Sequence, residues 1–475
     1  MRKRILHFLD RQPTQSATLI GWVFQAINIG AHIVIMPLLL FHFGKELAGG
    51  WFYMLGWLGF FQLCDFGIGE SLSRQVAFSQ GEASLSVRIP GSKFLHVYGM
   101  RSSYAIFIAG RRFFRRIVIV ALAMAILAER TILFSGRMNG SWELHVTWYL
   151  IILSGVGYVL ARPYQCFLIG LLKPGWEKVS SLAAVIVTHV LVIIVLSCRA
   201  PMWVVGLALC AGGWFQYVVS RIVLARRCSL QEYVKVCPKK SVARALWSLS
   251  WQQGVATTSA FLIFSINPML VGHYMGPGKV AEYYLPWKIA NVLMIGIFGM
   301  FVPHLSFMVK FVSEHRVKEL LARFLRLVIV SAGSALVVYS GYALVGRQVV
   351  LLWSGGGVDV GAGVLIIFAA YHMLAVLQTL CACFVVAHGR QPFAVVASFG
   401  AAANVVLGCI LIPRLGILGS VFGTMLAQLV TSNWYIVYRC IRLLAAHLDV
   451  LKDGFSMREI WAGTFRVRDL FSARS

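Results

Sequence analysis

Long apolar runs, separated by short polar segments, recur from one end of the chain to the other. Each run reaches or approaches about 20 residues, the length that a helix needs to cross the hydrocarbon core of a bilayer. The pattern predicts about twelve transmembrane helices. They cover residues 17–41, 48–79, 113–135, 145–172, 179–197, 202–225, 246–271, 280–305, 320–345, 361–387, 393–412 and 417–441.

Composition supports a membrane protein over a soluble one. The 475 residues are 59% hydrophobic and 13% charged, whereas soluble domains carry roughly 25% charged residues. The net charge of +26 lies in alternate loops between the apolar runs. Basic loops that face an anionic leaflet explain such a charge without nucleic acid, so anionic membrane lipids are the expected partner.

The basic residues also predict the orientation. With the N-terminus inside, the cytoplasmic segments hold 34 of the 43 Lys and Arg residues and the outward loops hold 7. Positive charge favours the cytoplasmic side. We therefore expect a multi-pass protein of the bacterial inner membrane with both termini in the cytoplasm.

A weak internal repeat predicts two lobes. The segment 41–52 aligns with 273–284 at a constant offset of 232, which pairs Gly44 with Gly276. Six spans per half give parallel repeats. The predicted organisation is a cytoplasmic N-terminus (1–16), an N-lobe (17–225), a cytoplasmic linker (226–245), a C-lobe (246–441) and a basic cytoplasmic tail (442–475).

The chain lacks the motifs of an enzyme or a nucleotide-driven pump. No phosphate-binding loop, zinc-protease motif or nucleophile elbow occurs in it, and the ten cysteines show no metal spacing. We expect no cofactor, and energy from a Na⁺ gradient, a H⁺ gradient or the membrane potential.

Three stretches carry a resemblance to a known family. They are Asp65-Phe66-Gly67-Ile68-Gly69, the run from Pro268 through Gly276 to Tyr283, and the run from Asn404 through Ile412-Pro413 to Gly419-Ser420. Together they resemble the Wzx-type polysaccharide flippases, which belong to the same superfamily as the MATE exporters. The similarity spans about residues 15–442.

The resemblance implies a MATE-like, all-α membrane fold whose two six-helix lobes are related by a pseudo-two-fold axis. It also implies a function: flipping an undecaprenyl-diphosphate-linked oligosaccharide for O-antigen, capsule or exopolysaccharide synthesis. Polymerase and chain-length proteins of the same pathway are the expected protein partners. An ion-coupled exporter of small molecules and a membrane polymerase or ligase remain as alternatives.

Two cations inside predicted spans are the main candidates for substrate binding. Arg162 lies within the fourth span, immediately before Pro163, and Lys288 lies in the eighth. A charge inside a membrane is costly unless it has a partner, and a guanidinium binds phosphate well. The alternative for both is a side chain that extends toward the membrane surface.

Two acids are candidates for ion coupling. Asp65 is expected either to bind a coupling cation, to form an ion pair with Arg162, or to serve as a structural acid at a tight helix crossing. Glu70 and Arg74 have the spacing of a simple helical ion pair, which is the alternative to a coupling role for Glu70.

Uncharged polar residues complete the predicted site. Gln25, Asn28, Gln252 and Gln253 begin equivalent helices of the two lobes, and Tyr164 is placed to stack on a sugar ring. Contacts between helices are the alternative for the amides, and an interfacial aromatic belt is the alternative for the tyrosine.

Overall fold

The computed structural model describes residues 13–63, 65–80, 100–129, 142–228, 240–301, 304, 308, 311–312, 314–388 and 393–450. Nearly all of these residues are helical, and no strand occurs among them. The predicted all-α fold class is therefore confirmed. The helices are α1 (Pro13–Leu63), α2 (Ile68–Gln80), α3 (Met100–Ala128), α4 (Trp142–Gly170), α5 (Pro174–Ser197), α6 (Met202–Arg227), α7 (Lys240–Phe264), α8 (Asn267–Met275), α9 (Pro277–Phe301), α10 (Val317–Trp353), α11 (Ala362–Ala387), α12 (Phe393–Leu415), α13 (Ile417–Gln428) and α14 (Trp434–Val450), with a π-helical turn at Leu429–Asn433 between the last two.

Seven helices in the described part of the chain are long and apolar enough to cross a membrane, or eight if the bent pair α7 and α8 counts as one span. The chain is thus a multi-pass membrane protein. One of the seven, within α1, covers the first predicted span and part of the second. The number twelve stays a prediction.

The predicted spans 48–79 and 246–271 are interrupted by turns that hydropathy alone did not show, and a further break lies in the predicted loop between the first two spans. Gly44, with φ of 68°, breaks the helical backbone inside α1. Phe66 and Gly67 adopt positive φ between α1 and α2, so the predicted span 48–79 is two helices. The axis bends by 43° between α7 and α8. Glycine tolerates positive φ at no steric cost, which explains two of these three breaks.

Prolines mark the starts of several helices. Pro174 and Pro277 are the first residues of α5 and α9, Pro201 directly precedes α6, and Pro268 is the second residue of α8. The first turn of a helix has no acceptor for its N–H groups, so a residue without that donor costs nothing there.

Contacts between Cα atoms divide the chain into two compact units. The first contains Met1–Ala281 and Trp353–Val358, and the second contains Glu282–Leu352 and Asp359–Ser475. In the first unit, the indole N–H of Trp353 donates to the carbonyl of Ile33 at 2.9 Å. The predicted six-helix lobes and the linker between them stay predictions.

The aligned segments 41–52 and 273–284 share a local geometry. Gly44 has φ and ψ of 68° and 174°, and its counterpart Gly276 has 87° and 171°. The backbone N–H of Gly278 donates to Oε2 of Glu46 at 3.0 Å, and these two residues are themselves separated by 232 positions. Two positions that the alignment pairs are therefore in contact with each other. The repeat of whole lobes stays a prediction.

Candidate functional site

Arg162 and Asp65 lie together, although 97 residues separate them in the sequence. Arg162 is on α4, which continues as a helix through Pro163. Its Nη2 donates to Oδ2 of Asp65 at 2.7 Å, and its Nε donates to the same oxygen at 3.2 Å. Of the alternatives predicted for Asp65, the ion pair with Arg162 is the one that this geometry shows.

The turn before α2 fixes the Asp65 carboxylate. Its Oδ1 accepts the backbone N–H of Gly69 at 2.6 Å, and its carbonyl accepts the N–H of Ile68 at 2.8 Å. A carboxylate at a helix N-terminus is stabilised by the helix dipole and by the unpaired N–H groups. The acid is therefore held by α2 and in turn orients the guanidinium on α4.

One edge of the Arg162 guanidinium remains open. Its hydrogen bonds to other described residues come from Nε and Nη2, and 44% of the side chain is exposed. The side chain of Asp65 is only 12% exposed. Because a guanidinium carries five donors, the two N–H groups of Nη1 make no hydrogen bond to the described residues.

Lys288 belongs to the second unit. It lies near the middle of α9, within two residues of Pro286, and its side chain is half-buried. Within the described residues its ammonium group makes neither an ion pair nor a hydrogen bond. Such a cation fits either predicted alternative, an anionic ligand or a side chain that extends toward the membrane surface, so the role of Lys288 stays a prediction.

Among the side chains that the structure describes, none of the other predicted polar residues is bonded to the Arg162–Asp65 pair. Glu70 forms an exposed pair with Arg74 at 2.9 Å, the simple arrangement that its spacing indicates. Gln25 is exposed and Asn28 half-buried, both on α1. Gln252 and Gln253 lie on α7, but their side chains are outside the described part of the structure.

Tyr164 lies in the interior of the first unit. The residue is 6% exposed, and its ring makes edge contacts with Phe107 and Tyr217 at centroid distances of 5.4 and 5.7 Å. Trp176 belongs to the same core. The position favours a packing role, and stacking on a sugar stays a prediction.

A buried polar network that the sequence analysis did not single out joins α4, α5 and α6. Ser181 donates to Oε1 of Glu177 at 2.9 Å and accepts N–H groups from Gln165 at 3.2 Å and Gln216 at 3.4 Å. The hydroxyl thereby uses its single donor and both lone pairs. The sequence signal that could have predicted this network is Glu177, which lies in the first turn of α5 after Pro174. The first turn of a helix favours a carboxylate.

The described residues contain no group of three or more His, Cys, Asp or Glu side chains that could hold a metal ion. Eight cysteines are described, all as free thiols.

Comparison with solved structures defines the class of fold. An inward-facing multidrug resistance MATE transporter of the MOP superfamily aligns with a TM-score of 0.61 and 15% identity, covering 89% of this chain and 95% of its own. The lipid II flippase MurJ, in an inward closed conformation, aligns with a TM-score of 0.57 and 11% identity, covering 93% of each chain. A mutant of the Vibrio cholerae MATE transporter VcmN gives 0.56 and 10%, covering 91% and 97%. The fold is thus MATE-like.

The family follows from the sequence itself. The model of the polysaccharide biosynthesis protein family matches residues 17–309, which is more than half of the chain. The chain belongs to that family. No curated protein matches it.

Proposed function

We propose that this protein flips an undecaprenyl-diphosphate-linked oligosaccharide from the cytoplasmic to the periplasmic leaflet. The product would supply the synthesis of a surface polysaccharide. The family assignment supports a role in polysaccharide biosynthesis. The MATE-like fold supports transport by two lobes that expose a cavity to each side in turn.

The observation that carries the proposal is the hydrogen bonding of the Arg162 guanidinium. Asp65 binds the Nε–Nη2 edge of the guanidinium and leaves Nη1 available on a part-exposed side chain. A diphosphate offers several oxygens to such a donor pair. The bound carboxylate lowers the cost of holding the cation in the membrane, so the site can remain empty between cycles.

Lys288 supplies a second cation on the other unit, half-buried and unpaired among the described residues. Each of these cations, taken by itself, suits an anionic group such as a diphosphate. Neither suits a cationic substrate, because like charges repel. Export of small anionic compounds remains the second candidate function.

The experiment compares cells that lack the gene and carry plasmid copies. We expect undecaprenyl-linked repeats to accumulate on the cytoplasmic side without the gene, and to clear with the wild type but not with Arg162→Ala. Arg162→Lys should restore part of the clearance, since lysine keeps the charge but loses the planar donor edge. Normal delivery of the repeats to the periplasm in the deletion strain would refute the flippase assignment.

Arg347 provides a matched control arginine. It forms an exposed, two-bond pair with Asp359 at 2.8 and 2.7 Å, and its guanidinium holds the pKa of that carboxyl below its ordinary value. An exposed pair of this kind contributes little to stability. We expect Arg347→Ala to clear the repeats as the wild type does, which would show that losing an arginine is not harmful by itself.

A further inference from the structure

The middle of α3 carries four arginines within the run Arg-Arg-Phe-Phe-Arg-Arg. Phe114 in this run is fully buried, and Arg111 is half-buried. Arg112, Arg115 and Arg116 are exposed. Because residues three and four positions apart share one side of a helix, these three guanidinium groups lie together on one face of α3, opposite the buried phenylalanine.

The same face continues toward the C-terminus of α3 as an apolar surface. Ile119, Val120 and Met124 are 68%, 59% and 46% exposed, and residues 117–128 include no charged side chain. Exposed apolar patches of this kind mark contact with a partner or a membrane, and in a multi-pass membrane protein the lipid tails cover them. The three arginines therefore lie where a lipid-facing stripe ends.

The described residues provide no counter-charge for these arginines. None of the three guanidinium groups forms an ion pair or a hydrogen bond with another described residue. The helices α2, α4 and α7 pack against α3, and their acids are Glu70 and Glu143. Glu70 is paired with Arg74 at 2.9 Å, and Glu143 lies in the first turn of α4. The segment 81–99, outside the described residues, has one acid and two basic residues in its sequence.

We propose that Arg112, Arg115 and Arg116 form a binding site for the phosphate headgroup of an anionic glycerophospholipid. A guanidinium binds phosphate oxygens through paired N–H donors, and cations near a membrane surface attract anionic lipids. The acyl chains of the bound lipid lie along the apolar stripe that starts at Ile119 on the same face. A zwitterionic lipid carries an ammonium group beside its phosphate, so it gains less from three cations.

This site is narrower than the general excess of basic residues predicted for the cytoplasmic side. That excess is spread over loops and chain ends, whereas these three arginines share one helix face with a lipid-facing surface. The site does not include Arg162, which is on α4 and bonded to Asp65. It therefore does not depend on the proposed function.

The test is lipid binding to the purified full-length protein, measured by native mass spectrometry. Phosphatidylglycerol and phosphatidylethanolamine with the same acyl chains are titrated separately. We expect the triple variant Arg112→Gln, Arg115→Gln, Arg116→Gln to bind phosphatidylglycerol at least about tenfold more weakly than the wild type. Its binding of phosphatidylethanolamine should be unchanged. Added salt should weaken the binding of phosphatidylglycerol to the wild type, because it screens exposed charges.

A second triple variant is the matched control. Arg226→Gln, Arg316→Gln and Arg442→Gln remove the same charge from exposed positions on different elements, so phosphatidylglycerol binding should stay as in the wild type. Replacing the three α3 arginines by lysine should give an intermediate affinity, since lysine keeps the charge but loses the planar donor edge. This version also tests the site if the glutamine variant fails to fold. Equal losses in the control and the α3 variants, or no loss in either α3 variant, would overturn the proposal.

The remaining arm distinguishes the sources of phosphate. Inorganic phosphate and undecaprenyl diphosphate are each added as competitors to the wild type with bound phosphatidylglycerol. We expect inorganic phosphate to displace little lipid, because it gains nothing from the apolar stripe. Undecaprenyl diphosphate should bind the triple glutamine variant as well as it binds the wild type. If its binding is lost in that variant, the site belongs to the transported substrate and the proposed lipid site is refuted. A failure of flipping in cells would refute the proposed function but leave this binding result intact.

Discussion

At the scale of single residues, the backbone at Gly69 leaves no room for a side chain. A Cβ there would lie 2.6 Å from Oδ2 of Asp65 and 2.8 Å from Sγ of Cys166. We expect Gly69→Ala to lower the free energy of unfolding by roughly 1–3 kcal/mol, measured by thermal unfolding in detergent. Gly30→Ala is the control, since a Cβ at that position would meet nothing within 4 Å. Equal stability of the two variants would contradict the tight Asp65 turn.

Asp65 should act on the substrate only through Arg162. Asp65→Asn removes the charge that orients the guanidinium while keeping the shape of the side chain, so we expect flipping to fall by roughly tenfold or more. In an Arg162→Ala background the same substitution should change flipping little, because no guanidinium is left for Asp65 to orient. Flipping rates of the four proteins in this cycle measure the coupling. Additive losses would show that Asp65 has a separate role, such as binding a cation.

The neighbourhood of Arg162 shows what the sequence could predict at this scale. Residue type and position identified Arg162 and Asp65, but the ion pair was one of several alternatives, since no local signal relates residues 97 apart. Tyr164 was placed in the same site, yet it lies two residues from Arg162. Such residues point to different sides of a helix, so one side chain is 44% exposed at the ion pair and the other is in the aromatic core.

At the scale of secondary-structure elements, the α8–α9 turn lies directly against α1. A Cβ on Gly49 would overlap the carbonyl oxygen of Pro277, and the N–H of Gly278 bonds to Glu46. We expect the double variant Glu46→Cys, Gly278→Cys to form a disulfide in an oxidising compartment. If these outward ends separate during transport, the cross-link should abolish flipping until a reductant is added.

Controls for the cross-link follow from the thiols already present. Cys198 is exposed near the same predicted surface, so it should be replaced by serine first. Each single cysteine variant should then flip with and without oxidant. Full activity of the cross-linked double variant would show that the contact stays closed throughout the cycle.

Hydropathy located the apolar segments but not the breaks within them. Gly67 lies inside the predicted span 48–79, and glycine inside a helix is only mildly unfavourable, whereas Gly44 and Gly276 lie in predicted loops. All three glycines adopt positive φ, which hydropathy does not report. The turn at Pro413 and Gly416 was predicted from the resemblance. Gly416, with φ of 63°, does separate α12 from α13.

At the scale of the whole molecule, the orientation was predicted from charge alone, and the direction of the proposed flipping depends on it. Lys and Arg near the span ends favour the cytoplasmic side because of the membrane potential and anionic lipids. The tail 451–475 lies outside the described residues. The orientation is therefore tested at helix ends within the described part of the chain. Cys198 follows α5 on the predicted outer side, and Arg226 ends α6 on the predicted inner side.

Labelling with a membrane-impermeant maleimide tests this orientation. In a background without other cysteines, Cys198 should react in intact spheroplasts, because it is exposed and the predicted orientation places it outside. Arg226→Cys, also exposed, should react only after the membrane is permeabilised. The reverse result would invert the molecule. The Glu46–Gly278 contact would then lie on the cytoplasmic side, and the cross-link would have to form in a reducing compartment, where disulfides are rare.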